Sequence, residues 1–136
     1  MGTDGAGLWK ITPWRDSLLR RCAVTNRVDL SRALADFSAA VSRQQGALFR
    51  RAILFGSHAR GTPQEQSDVD VAVVLTDMPD GLIDTTLAMT DIAFDVLLET
   101  GIDIQPVPLS EDQWNHPEHH SNPWLVEAIR REGIRL

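Results

Sequence analysis

Two aspartates one residue apart, Asp68 and Asp70, open the apolar run "DVDVAVVL" at residues 68–75. On an extended strand residues i and i+2 point to one face. The two carboxylates therefore share a face, and Val69 and Val71 point to the other. Carboxylates side by side repel, and one is driven toward protonation. A divalent cation removes that conflict. Mg²⁺ prefers hard oxygen ligands and commonly takes its remaining ones from water and substrate phosphates. Asp103 lies between two isoleucines in "IDIQPV", residues 102–107, so on a strand its side chain points opposite to theirs. If that strand lies beside the first, Asp103 joins the same face, and three carboxylates suffice to anchor two metal ions for an in-line displacement at phosphorus. Alone, the Asp68/Asp70 pair would read as a polar strand start capping a turn.

The upstream "GSHARG", residues 56–61, adds to the pattern. Gly56 lacks a side chain, so a phosphate can approach its backbone. Ser57 brings a hydroxyl and an N–H where a helix can begin, an anion seat. Arg60 either contacts the same phosphates or pairs with a nearby carboxylate to shape the loop. His58 reads as a variable loop residue. Asp91 and Asp95, at helical i, i+4 spacing, read as a solvated face. "HPEHH", residues 116–120, suggests zinc by its histidines, but Pro117 interrupts a loop-like stretch, and Cys22 is the one cysteine. Trp114 and Trp124 read as core or partner-facing anchors rather than base-stacking platforms.

The elements that must position these residues follow from periodicity and punctuation. Residues 1–28 read as an N-terminal extension with a glycine-rich start, whose Trp9 and Trp14 can dock on the domain, and residues 29–136 as one domain. Leu30, Leu34, Phe37, Ala40 and Val41 fall at helical spacing behind a cap at Asp29 or Ser31, with Gly46 as the stop. "RAILF", 51–55, predicts a buried strand; a short helix starts near Ser57, and "TPQEQS" is a polar loop. After the valine-rich strand 68–75, an amphipathic helix over 82–99 carries Leu82, Ile83, Leu87, Met89, Ile92, Ala93, Val96 and Leu97 and closes at Gly101. A third strand over 102–107, a capped turn at "SEDQW" and a C-terminal helix in "NPWLVEAIRREGI" complete the chain. The expected fold class is α/β (α+β): a small mixed β-sheet with flanking helices.

Composition bounds the function. The charged content of 24% and hydrophobic content of 43% are ordinary globular values. No apolar run approaches a membrane span or a secretory signal, and a lone cysteine fits a reducing cytoplasm. Residues 1–60 carry ten Lys/Arg against four Asp/Glu, and residues 61–136 carry three against fifteen, so +6 and −12 give the net −6. The spaced arginines read as solvated helix faces, and the acidic rear argues against nucleic acid as a direct partner.

"GSHARG" followed by "SDVDVAVV" and a later strand aspartate resembles the DNA polymerase beta-type nucleotidyltransferase superfamily, and more closely its minimal nucleotidyltransferase (MNT) domains. The resemblance covers about residues 30–107, with "NPWLVEAIRREGI" similar to the short C-terminal helix of those proteins. It implies a polymerase beta-like fold and an NTP, commonly ATP, seated on Gly56 and Ser57. It further implies two Mg²⁺ ions held by Asp68 and Asp70, with Asp103 helping to hold the second and to activate an acceptor hydroxyl. AMP would then pass to the acceptor. Many MNT proteins act as antitoxins of a neighbouring HEPN-domain toxin, some by adding AMP to a toxin tyrosine; this chain has no tyrosine of its own. Two alternatives stay open: an antitoxin that neutralises by binding alone, and transfer to a small molecule. The acceptor would come from outside or from a second subunit of a homo-oligomer.

Overall fold

A computed structural model describes residues 24–61 and 68–136. The extension up to residue 23, with Trp9, Trp14 and Cys22, and the loop 62–67 lie outside the described residues. Helix α1 (Val24–Gln45) begins upstream of Asp29 and Ser31, so neither caps it, and it runs across the expected boundary at residue 28. Residues 24–29 contain no glycine or proline, so nothing in them stops a helix from extending past the core-facing stripe. That stripe, Leu30, Ala33, Leu34, Phe37 and Val41, is buried.

A single 3₁₀ turn (Gly46–Leu48) leads into β1 (Phe49–Phe55). Helix α2 (Ser57–Arg60) follows Gly56 directly. Then come β2 (Val69–Leu75), α3 (Leu82–Thr100) and β3 (Ile104–Ser110). A short α4 (Glu111–Asn115), a 3₁₀ turn (Pro117–His119), α5 (Pro123–Glu132) and β4 (Ile134–Arg135) complete the chain.

The four strands form one mixed sheet in the order β3-β2-β1-β4. β1 is antiparallel to β2 and β4, and β2 is parallel to β3 through the α3 crossover. β3 starts and ends later than 102–107, because it tolerates Pro106 and Pro108. Proline breaks a central strand by removing a ladder donor, but β3 is an edge strand with one side unpaired. β4 has no counterpart among the expected elements. At two residues it is too short to carry a pattern, and it exists through pairing with Ile53 and Leu54 of β1.

The sheet is buried on both faces. On one, Val69, Val71 and Val73 of β2 pack with α1 and with Met89, Ala93 and Val96 of α3. On the other, Ala72 and Val74 pack with Ile53, Leu109 and Val126 and Ile129 of α5. This double burial explains why β2 reads as a continuous apolar run rather than an alternating one. Among the described residues no helix is long and apolar enough to cross a membrane.

Candidate active site

The β1–α2 turn and the start of β2 come together at one end of the sheet. Asp70 sits on β2 opposite Phe55 of β1 and Gln105 of β3. It belongs to the face that carries Ala72 and Val74, the face covered by α5. Asp68 stands just before β2 and is exposed. Partial burial pushes the Asp70 carboxyl above its ordinary value, the neighbouring Asp68 charge adds to this, and Arg60 partly offsets it. The pair is thus a concentration of negative charge that Arg60 only partly compensates. A hard divalent cation fits this donor set, because it would remove the repulsion that now falls on Asp70.

Gly56 makes the approach possible. Its φ of 80° is left-handed, and a Cβ there would lie 2.5 Å from Asp70 Oδ2. The carboxylate therefore rests where any other residue would place its side chain. Ser57 opens α2 beside it, half-buried, and the Arg60 N–H donates to the Gly56 carbonyl at 3.1 Å to close the turn.

Arg60 Nη1 donates to Glu132 Oε1 at 3.4 Å, which ties the site to the end of α5. Both side chains are partly exposed, and the guanidinium still lies close enough to influence Asp70. Sequence reasoning had no signal for Glu132, whose partner is 72 residues away.

Asp103 lies one residue before β3. Its carbonyl accepts the Val69 N–H at 2.9 Å. The parallel register sets Val69 against Ile104, so the main chain at Asp103 runs beside that at Asp68. The Asp103 carboxylate is exposed and accepts from Gln105 Nε2 at 3.1 Å. Among the described residues no three His, Cys, Asp or Glu side chains gather closely enough to hold a metal ion. The structure thus couples Asp68 with Asp70 and leaves the Asp103 side chain with Gln105.

His58 is buried, at 7% exposure, unlike the variable loop residue expected from its sequence context. Burial lowers its pKa; a hydrogen bond to the Asp68 backbone and the Asp68 charge oppose that shift. Among the described residues its Nδ1 has no hydrogen-bond partner. His58 touches the Asp68 backbone, a contact that nothing in its sequence context signals.

The remaining candidates disperse. Asp91 and Asp95 are exposed on α3. His119 Nδ1 lies 2.8 Å from Asp112 Oδ2, a hydrogen bond that raises its pKa, with the Asp112 charge adding to it. His120 Nδ1 accepts the Asn122 N–H at 2.9 Å. Trp114 is half-buried with the guanidinium of Arg51 5.7 Å from its ring centre, whereas Trp124 is 80% exposed.

A family model, the nucleotidyltransferase domain, matches residues 35–120. Two proteins of Methanocaldococcus jannaschii, assigned by name to the protein adenylyltransferases, are similar in sequence. One is 44% identical over 55 residues, 40% of this chain and 37% of its own length. The other is 31% identical over 84 residues, 62% of this chain and 77% of its own length. The chain therefore spans little more than a third of the first relative and about three quarters of the second. In three dimensions, a toxin–antitoxin crystal structure with AMP-PNP aligns at a TM-score of 0.50 and 20% identity, over 71% of this chain and 67% of that one. A structure from Sulfolobus solfataricus described as a nucleotidyltransferase aligns at 0.52 and 14% identity, over 85% and 87%. These likenesses establish the polymerase beta-like fold.

Proposed function

Because the chain belongs to the nucleotidyltransferase domain family, we propose that it is a Mg²⁺-dependent protein adenylyltransferase. In this reading it moves AMP from ATP to a tyrosine hydroxyl of a HEPN toxin and so serves as the antitoxin of that pair in the cytoplasm. The observation that carries the reading is the Asp68/Asp70 pair, with Asp70 against Gly56 and only partly compensated by Arg60. Two relatives assigned to protein adenylyl transfer support the reaction class. The toxin partner rests on the motif resemblance to minimal nucleotidyltransferases, and the toxin–antitoxin neighbour shares the fold.

Asp68 and Asp70 would hold the metal, with Asp103 at the margin of the same face. When bound, Mg²⁺ supplies Lewis-acid polarisation of the phosphates and cancels the charge of the pair. Gly56 would let a phosphate lie against the main chain, and the Ser57 hydroxyl would donate to it. The acceptor oxygen bonds to the α-phosphorus as the α–β bridging P–O bond breaks and pyrophosphate leaves. The acceptor proton passes to the Asp103 carboxylate or to water. Orientation and charge supply the rate, so no covalent nucleophile on the protein is needed.

The test uses the protein encoded beside this one in its genome. It is incubated with the chain, ATP and Mg²⁺, and its intact mass is recorded. The expected result is a gain of one or more AMP units, absent with Asp68→Asn/Asp70→Asn and absent with EDTA. A stable complex that silences the partner without a mass change would replace the transferase by a binding antitoxin.

A further inference from the structure

Helix α3 carries apolar side chains on two sides. Thr85, Met89, Ala93 and Val96 face the core. Ile83, Leu87, Phe94 and Leu98 are 74%, 57%, 56% and 69% exposed. At 100° per residue these four fall on one narrow stripe almost opposite the buried side. Scattered exposed leucines need no explanation, but a contiguous apolar stripe on a surface helix marks an interaction site.

The stripe has a charged border. Asp84, Asp91, Asp95 and Glu99 are all exposed and fall along one flank, and α3 contains no Lys or Arg. On the other flank the Thr86 and Thr90 hydroxyls donate to carbonyls one turn back, at 2.7 and 2.8 Å. That flank presents methyl groups with its donors already used. The helix thus offers an apolar seam with acid on one side.

We propose that this outer face of α3 docks a partner protein through an amphipathic helix whose apolar stripe is bordered by lysines and arginines. Charge complementarity selects this occupant. A second copy in an antiparallel pairing would set one acidic row against the other, which opposes it. Nucleic acid and anionic membrane surfaces are repelled by the same row. The face is also well placed. α3 packs on the sheet face that carries Val69, Val71 and Val73, whereas Asp70 belongs to the opposite face. A partner seated on α3 leaves the paired carboxylates uncovered. The inference rests on the reading of this chain as acting on the protein encoded beside it.

Calorimetric titration of the full chain with that neighbouring protein, at low and high salt, tests it. Wild type is expected to bind, more weakly at high salt. Leu87→Ser/Phe94→Ser should weaken binding tenfold or more while leaving the circular dichroism spectrum unchanged. Asp91→Asn/Asp95→Asn should weaken it several-fold and flatten the salt dependence. Asp68→Asn/Asp70→Asn should bind like wild type. Unchanged binding by Leu87→Ser/Phe94→Ser overturns the proposal, as does the absence of any complex with wild type. A homodimer that Leu87→Ser/Phe94→Ser dissolves, seen by sedimentation, also overturns it. AMP transfer is read separately by mass in the same mixtures. A stripe-dependent complex without a mass gain keeps the docking face and removes the transferase reading. A mass gain with stripe-independent binding does the reverse.

Discussion

At Gly56 the main chain runs so close to Asp70 that a methyl group would sit 2.5 Å from Oδ2, in a left-handed conformation that L side chains rarely adopt. Gly56→Ala therefore meets both strain and collision, and is expected to cost about 1–3 kcal/mol in urea unfolding and to abolish transfer. Asp70 itself is held at a cost. Its folded-state pKa is raised, so the folded chain binds that proton more tightly than the unfolded chain does. The penalty is present above the raised value and is relieved as pH falls through it toward 3.8. Asp70→Asn should thus raise the melting temperature at pH 7, with a gain that fades as the pH approaches about 4. Added Mg²⁺ should raise the melting temperature of wild type and leave this variant unmoved. The paired aspartates were legible because i, i+2 spacing on a strand is a local property. The burial of His58 was not, since tertiary packing sets it and no local pattern marks it.

Elements were readable where local chemistry marks their ends. Ser110 closes β3 and caps α4: its hydroxyl accepts the Gln113 N–H at 3.1 Å, and the Ser110 N–H donates to Gln113 Oε1 at 3.1 Å. This reciprocal box follows from "SEDQ" and was expected as a capped turn. Ser110→Ala should cost about 1 kcal/mol, seen as a loss of about 4 °C in thermal unfolding. Asn122 caps α5 in the same way, accepting the Leu125 N–H at 3.3 Å. By contrast, α1 starts before its expected caps, because a polar, breaker-free segment can be helix or coil with equal local merit. α3 was recognised as an amphipathic helix, yet three of the apolar residues that marked it, Leu82, Ile83 and Leu87, are exposed. Apolar residues on two sides of a helix do not say which side meets the sheet.

For the whole molecule, closure of the C-terminus onto β1 matters most. Gly133 passes so close to Ile53 that a Cβ there would collide with its side chain and lie 2.5 Å from the Ile129 carbonyl. Gly133→Ala should push β4 off the sheet and lower stability by about 1–3 kcal/mol, and hydrogen exchange should show loss of protection at Leu136, whose N–H donates to the Ala52 carbonyl at 2.9 Å. Because the preceding Glu132 pairs with Arg60, the same change should reach the site and lower transfer.

The sequence by itself determined the mixed α/β class, the strand that carries Asp70 and follows Asp68, the glycine-serine turn before it and the nucleotidyltransferase family. All of these are written in spacings of a few residues, where backbone geometry dictates which side chains share a face. Only the tertiary structure decided the strand order β3-β2-β1-β4, the pairing of Arg60 with Glu132, the attachment of the Asp103 carboxylate to Gln105 and the outward turn of the apolar seam on α3. Each joins groups by packing, register or side-chain contact. Those choices minimise the free energy of the whole molecule and leave no periodic trace along the chain.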